Sequence, residues 1–269
     1  MHDYLIIGAA LSLVTALLLG WKWQLGIALV GGYALAGSML VAIILSAVNP
    51  LLRFTSVTGT VAMWGITIAA GLAGLAILSL RDPDRTPPPR EDVIVSPADG
   101  RVIYVRTTQP GHLPVADKKG ITSSLRELEG TTLSKEASVA IGIAMNLSDV
   151  HVNRAPIAGR VRLVEHVRGT FGSLRNAENL LTNERVTTII EDEHLQVALV
   201  QIASRLVRRI VTFVSQDRVL GLGQRIGAIR FGSQVDLIIP VRQDVRITVQ
   251  VGDRVVAGRT IAAVITSRV

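Results

Sequence analysis

Ile226-Gly227-Ala228-Ile229-Arg230-Phe231-Gly232-Ser233-Gln234-Val235-Asp236-Leu237-Ile238-Ile239 is two short apolar runs with a Gly-Ser pair between them. Apolar runs of about five or six residues bounded by turn-forming residues have the length of strands and fall short of a typical helix. The Gly-Ser pair therefore reads as a turn between two strands. The same texture continues outward. Further strands are expected at 93–95, 101–105, 139–147, 158–167, 186–190, 195–202, 209–214 and 245–249, and short helices only at 123–128 and 174–181. Strands this frequent and this short predict a mainly antiparallel β domain, barrel-sandwich-like, with few short helices.

Towards the N-terminus the texture changes. Residues 1–80 carry only Asp3, Lys22 and Arg53 as acidic or basic side chains. Three uncharged runs, 4–20, 25–48 and 56–80, each approach the roughly 20 residues that cross a bilayer. Trp21-Lys22-Trp23-Gln24 has the aromatic-and-charge signature of a membrane interface. The expected organisation is a membrane anchor of about three transmembrane helices over 1–80, a linker over 81–90 and a β-rich domain over 91–269. Two spans with one buried or interfacial segment is the alternative for the anchor. Arg81-Asp82-Pro83-Asp84-Arg85-Thr86-Pro87-Pro88-Pro89-Arg90 holds four prolines in ten residues, a stiff spacer in which a helix cannot continue. Arg81, Arg85 and Arg90 follow the third run, which puts the β-rich domain on the cytoplasmic side of a cell membrane by the positive-inside tendency.

The whole chain has 28 basic and 21 acidic residues; removing Lys22, Arg53 and Asp3 leaves 26 and 20, a net charge of +6 for 81–269. A basic domain beside a membrane suits an anionic lipid surface. No basic run is interleaved with aromatics, which argues against nucleic acid as a partner. The absence of cysteine excludes disulfides, thiolate catalysis and cysteine-type zinc sites.

Gly252-Asp253-Arg254-Val255-Val256-Ala257-Gly258 resembles the tight turn of lipoyl- and biotinyl-type barrel-sandwich domains, but no lysine stands at a hairpin tip, so no swinging arm is expected. Two stretches concentrate reactive groups. Ser96-Pro97-Ala98-Asp99-Gly100 is by itself an ordinary turn. Asn146-Leu147-Ser148-Asp149-Val150-His151-Val152-Asn153-Arg154-Ala155-Pro156 gathers Ser, Asp, His, Asn and Arg after an apolar strand. Polar groups at the end of a core strand are common at functional sites. His151 alone reads more readily as a structural histidine than as a catalytic one.

Taken in order, Arg81-Asp82-Pro83-Asp84-Arg85, Ser96-Pro97-Ala98-Asp99-Gly100, Asp149-Val150-His151-Val152-Asn153-Arg154-Ala155-Pro156 and Gly232-Ser233 resemble the phosphatidylserine decarboxylase family in its short, pyruvoyl-dependent form. The resemblance implies autocatalytic cleavage between Gly232 and Ser233, with Ser233 converted into a covalent pyruvoyl cofactor. It implies a zymogen that yields a β chain of residues 1–232 and an α chain of residues 233–269. It implies decarboxylation of phosphatidylserine, a serine phospholipid in the membrane, to phosphatidylethanolamine, with no metal. Ser233, His151 and Asp99 are then the candidate catalytic residues, with His151 as proton donor and Asp99 and His151 as candidate bases for cleavage. Arg154 is the candidate for the lipid phosphate. Many long-form members carry a second histidine three residues after the first, where this chain has Arg154. An ether-linked, archaeal-type serine lipid is an alternative substrate, and a non-enzymatic β-rich membrane adaptor is the alternative in which Gly-Ser and Asp-Gly are only turns. The oligomeric state is left open.

Overall fold

The computed structural model describes residues 3–23, 27–108, 132–172, 174, 182–204, 210–229 and 233–266. The chain divides into two compact units, 1–79 with 146–148, and 80–145 with 149–269.

The first unit is built on α1 (Asp3–Lys22), α2 (Ile27–Leu52) and α3 (Ser56–Leu80). All three contain stretches long and apolar enough to cross a membrane. α2 runs past the expected stop, carries Pro50 in its last turn, and ends where Arg53 adopts a φ of 49°. Thr55 and Thr58 then exchange backbone-to-hydroxyl hydrogen bonds of 2.9 and 3.2 Å, capping the N-terminus of α3. α1 and α3 touch through small residues. A Cβ at Gly8 would lie 2.5 Å from Met63, and one at Gly59 would lie 2.5 Å from Tyr4. Close approach at glycine is how helices pack where lipid removes the hydrophobic drive between them. Ile6, Leu18, Met39 and Ile77 are exposed, as lipid-facing side chains are.

In the second unit the strands are β1 (Val93–Val95), β2 (Gly100–Thr108), β3 (Ser138–Ala144), β4 (Val152–Arg154), β5 (Gly159–Val167), β6 (Arg185–Glu191), β7 (Gln196–Ile202), β8 (Ile210–Thr212), β9 (Val219–Leu220), β10 (Arg225–Ile229), β11 (Gln234–Pro240), β12 (Val245–Ile247), β13 (Arg254–Val255) and β14 (Ile261–Ile265). One short helix, α4 (Thr132–Lys135), precedes β3. Among the described residues the strands form an eight-stranded sheet, β13-β2-β3-β11-β7-β6-β5-β9, and two three-stranded sheets, β1-β14-β12 and β4-β10-β8. Each pairing between named strands is antiparallel. The mainly antiparallel β expectation holds.

β11 is buried along its whole length. Val235, Leu237 and Ile239 enter a core with Ile143 and Leu199, whereas Ile238 enters a second core with Ala140 and Val200. Burial on both faces is why 235–239 is nearly continuous apolar sequence without strict alternation. β10 and β11, read from sequence as two strands across a turn, do not pair with each other. β10 pairs with β4 and β8, and β11 with β3 and β7. The Gly-Ser segment thus joins two sheets instead of closing a hairpin. β4, β9, β13 and β14 lie outside the strands expected from sequence. Three of them have only two or three residues, too few for a periodic signal. The helix expected at 123–128 lies outside the described residues, and of 174–181 only Leu174 is described, as a turn.

Candidate active site

Ser233 directly precedes β11 and is buried, with 3% of its surface exposed. Its carbonyl oxygen accepts a 2.9 Å bond from the Met145 N–H, just past β3. Its Oγ donates to the Met145 thioether at 3.4 Å, a weak acceptor. The backbone of residue 233 is therefore held firmly while its hydroxyl is held lightly. Gly232 lies outside the described residues.

Asp99 reaches the same end of the sheet from the other side of β3. Ala144 is register-paired with Arg101 of β2 and with Gln234 of β11. Gly100, at φ 151°, presses on it so closely that a Cβ would sit 2.2 Å from the Ala144 carbonyl oxygen. Only glycine admits this approach. Asp99 and Ser233 thus flank the end of β3, two inter-strand spacings or roughly 10 Å apart in backbone terms. The Asp99 carboxylate is engaged by Arg85 through Nη1 at 2.5 Å and Nη2 at 2.8 Å, and by the Ala257 N–H at 2.8 Å. Its bonds go to these groups and not to Ser233 or His151.

His151 is buried, and its carbonyl accepts a 3.0 Å bond from the N–H of Ile229, the last residue of β10. It therefore stands beside the strand that leads into the Gly-Ser segment. Two residues on, the Asn153 amide donates to the Pro97 carbonyl at 3.5 Å and to the Met145 sulfur at 3.9 Å, and its oxygen accepts from Gln201 at 2.8 Å. Met145 and Asn153 so link the Ser96–Gly100 turn, β4 and Ser233. Sequence reasoning assigned neither a role, although Asn153 stands inside a quoted motif and Met145 just before it.

Arg154 is buried. Its Nη1 donates to the Gly223 carbonyl at 3.0 Å, and its Nη2 to the Pro83 carbonyl at 2.9 Å and to Asp82 at 3.3 Å. Burial, then the neighbouring Arg225 and Arg85, lower its pKa from the ordinary arginine value. Asp82 also accepts from Arg225 at 2.6 Å, and Asp84 accepts from Arg225 at 2.7 Å.

On the other face of β11 lies a second polar group. Gly142 of β3 is paired with Tyr104 of β2 on one side and Asp236 of β11 on the other. A Cβ at Gly142 would fall 2.4 Å from the Tyr104 ring. The missing side chain lets Tyr104 lie across β3 and donate from its hydroxyl to Asp236 at 2.6 Å. Gln234 Nε2 donates to Asp236 at 2.7 Å and to the Tyr104 oxygen at 3.1 Å. Burial raises the Asp236 pKa to about 6, against the lowering effect of these two donors. Burial and then the Asp236 charge push the Tyr104 hydroxyl well above its usual pKa.

The four motifs thus converge on one end of β3, and the sequence as a whole matches a family model for phosphatidylserine decarboxylase over residues 72–263. The chain belongs to the phosphatidylserine decarboxylase family. It is accordingly a decarboxylase, a lyase of phospholipid metabolism. The match begins within α3, so α1 and α2 lie outside it. The phosphatidylserine decarboxylase proenzyme of Azorhizobium caulinodans is 39% identical over 196 residues, 73% of this chain and 76% of that one. That of Xanthobacter autotrophicus is 38% identical over 194 residues, 72% and 75% of the two chains. A putative archaetidylserine decarboxylase proenzyme of Methanothermobacter thermautotrophicus is 38% identical over 183 residues, 68% of this chain and 77% of the relative.

Proposed function

We propose that this family member decarboxylates phosphatidylserine to phosphatidylethanolamine, using a pyruvoyl group that it makes from its own Ser233. The observation that carries the proposal is the junction itself. Residue 233 is clamped by Met145 and β11 while its Oγ meets, among the described residues, a weak acceptor, and the strands on the two sides of 230–232 belong to different sheets. A break between 232 and 233 would cost no ladder bond between β10 and β11.

In the proposed cleavage, Ser233 Oγ loses its proton to a base and attacks the Gly232 carbonyl carbon, and the peptide nitrogen leaves, giving an ester. Loss of the Ser233 α-proton then expels the Gly232 carboxylate and leaves a dehydroalanine. Water replaces its nitrogen, ammonia departs, and a pyruvoyl group remains at position 233. Glycine at 232 suits attack because it brings no side chain into the crowded carbonyl approach. Asp99 and His151 are the proposed groups for the proton transfers, and the buried imidazole of His151 is the proposed acid that protonates the product carbon. The pyruvoyl group supplies an electron sink for loss of carbon dioxide from the serine headgroup. The Met145 N–H that holds the residue 233 carbonyl would keep holding it in the processed protein.

The α chain, residues 233–269, would contain β11 in the middle of the large sheet, β13 at its edge and β14 between β1 and β12. Woven into two sheets, it would stay bound to the β chain without a covalent link. Arg154 remains the phosphate candidate nearest the histidine motif, although a lipid phosphate would have to displace Asp82 to reach its Nη2. The three apolar helices support an integral membrane protein, and the arginines after α3 support a cytoplasmic β domain.

The test is the mass and N-terminus of the chains in active material. Two chains are expected, the smaller blocked by a pyruvoyl group at 233, and Ser233→Ala should remain one uncut chain. A single uncut chain with full decarboxylase activity would end the proposal. The relative named for archaetidylserine is nearly as similar as the bacterial relatives, which favours assaying ether-linked archaetidylserine beside phosphatidylserine. A higher kcat/KM on the ether lipid would replace the substrate and leave the chemistry in place.

A further inference from the structure

The segment 81–90 is not a free spacer. Asp82 and Asp84 are held by Arg225, Asp82 and the Pro83 carbonyl by Arg154, and Arg85 turns inward. The side chains of Arg85 and Asp99 are 6% and 12% exposed. The guanidinium grips both carboxylate oxygens in the planar fork that only arginine offers. Ala257 closes the ring. Its carbonyl accepts from Arg85 Nη1 at 2.8 Å, and its N–H donates to Asp99 at 2.8 Å. Backbone bonds from Gly258 to the Ser96 carbonyl and from Ser96 to the Thr260 carbonyl, both 2.8 Å, fasten the two turns together. With three donors fixed around it, the carboxylate can neither rotate nor withdraw.

We propose that Arg85 is a positioning residue for Asp99 in self-cleavage, so that the segment joining α3 to the β domain belongs to the processing machinery. The inference rests on the proposed role of Asp99 in cleavage at 232–233. A strap that merely ties the segment down would behave differently. Arg225 ties it too, through exposed pairs with Asp82 and Asp84, and does not touch Asp99.

The experiment is cell-free synthesis of the full-length chain into phospholipid nanodiscs, with the time course of the α-chain fragment followed by mass. Arg85→Gln should slow cleavage by about 100-fold, the scale of a misplaced catalytic group. Arg225→Gln should slow it less than about 2-fold. Arg85→Lys, which keeps the charge and loses the fork, should fall between, and guanidinium ion should accelerate Arg85→Ala. In an Asp99→Asn background Arg85→Gln should add nothing. That last result is one a purely structural strap would not produce. Wild-type-like cleavage in Arg85→Gln, equal slowing in Arg85→Gln and Arg225→Gln, or slowing that persists undiminished in Asp99→Asn would each overturn the inference while cleavage at 232–233 stands. An uncut wild-type chain would instead overturn the proposed function, and this inference with it. If Arg85→Gln fails to fold, Arg85→Lys decides. Slowing that disappears in Asp99→Asn supports the positioning role, and a wild-type rate ends it.

Discussion

Asp99, at the entrance to β2, and Asp236, within β11, are buried carboxylates on the two strands that flank β3, and they are satisfied in opposite ways. Asp99 is held by a full positive charge and a backbone N–H. Asp236 is held by two neutral donors, Tyr104 and Gln234. The difference follows from the face each occupies. Asp99 lies at the strand end, where the 81–90 segment can deliver a guanidinium. Asp236 lies in a sheet interior, where Gln234 reaches it from its own strand and Tyr104 reaches it across Gly142. With neutral donors alone around it, burial raises the Asp236 pKa to about 6. The first arrangement suits a carboxylate that must keep one orientation, and the second suits a device that pins strand register three residues after Ser233.

The largest expected break in this comparison is Asp99→Ala. It leaves Arg85 buried with only the Ala257 carbonyl, and losing one partner of a buried pair costs about 3–5 kcal/mol. Chemical denaturation in detergent should register that loss at neutral pH, and a loss under about 1 kcal/mol would mean that water reaches the guanidinium.

Next comes the pH response of Asp236. The native carboxyl keeps its proton to about pH 6, whereas 3.8 is its ordinary value. Between these limits the native state binds more protons than the unfolded state, so stability falls as pH rises through the window. The contribution is of order 3 kcal/mol at about 1.4 kcal/mol per unit. Thermal midpoints of wild type and Asp236→Asn should therefore diverge as pH rises from 4 to 6, with the asparagine variant gaining. Parallel curves would show that Asp236 is not the titrating group.

Tyr104→Phe removes one of the two neutral donors and should cost about 1–3 kcal/mol at neutral pH. The Tyr104 hydrogen bond lowers the Asp236 pKa, so its loss should extend the pH window above 6. The smallest effect is Arg225→Gln, whose pairs are exposed. It should cost less than about 1 kcal/mol, and the difference from wild type should shrink in high salt.

The three apolar helices, most of the longer strands and the four motifs were legible because each is a local pattern, read within a window of neighbouring residues. β11 was legible even though Asp236 interrupts it. The partner of Asp99 was not. Arg85 stood in a quoted motif only 14 residues away, but nothing local says that it turns inward instead of pairing in a spacer. Asp236 and Gly142 carried no signal at all, since an acid in an apolar strand and a glycine in another become meaningful only when register brings Tyr104 between them.

The sequence by itself determined a helical membrane part, a β-rich remainder and an ordered set of reactive residues ending at Ser233. These depend on hydropathy, strand length and motif order, all properties of the chain read in one dimension. The tertiary structure alone decided that the Gly-Ser segment joins two sheets, that Ser233 faces Met145, and that one buried carboxylate meets an arginine and the other a tyrosine. Those outcomes depend on strand order and register between segments far apart in the chain, such as Asp99 and Ala257, 158 residues apart. A one-residue slip of β2 or β11 would turn Tyr104 or Asp236 to the opposite face.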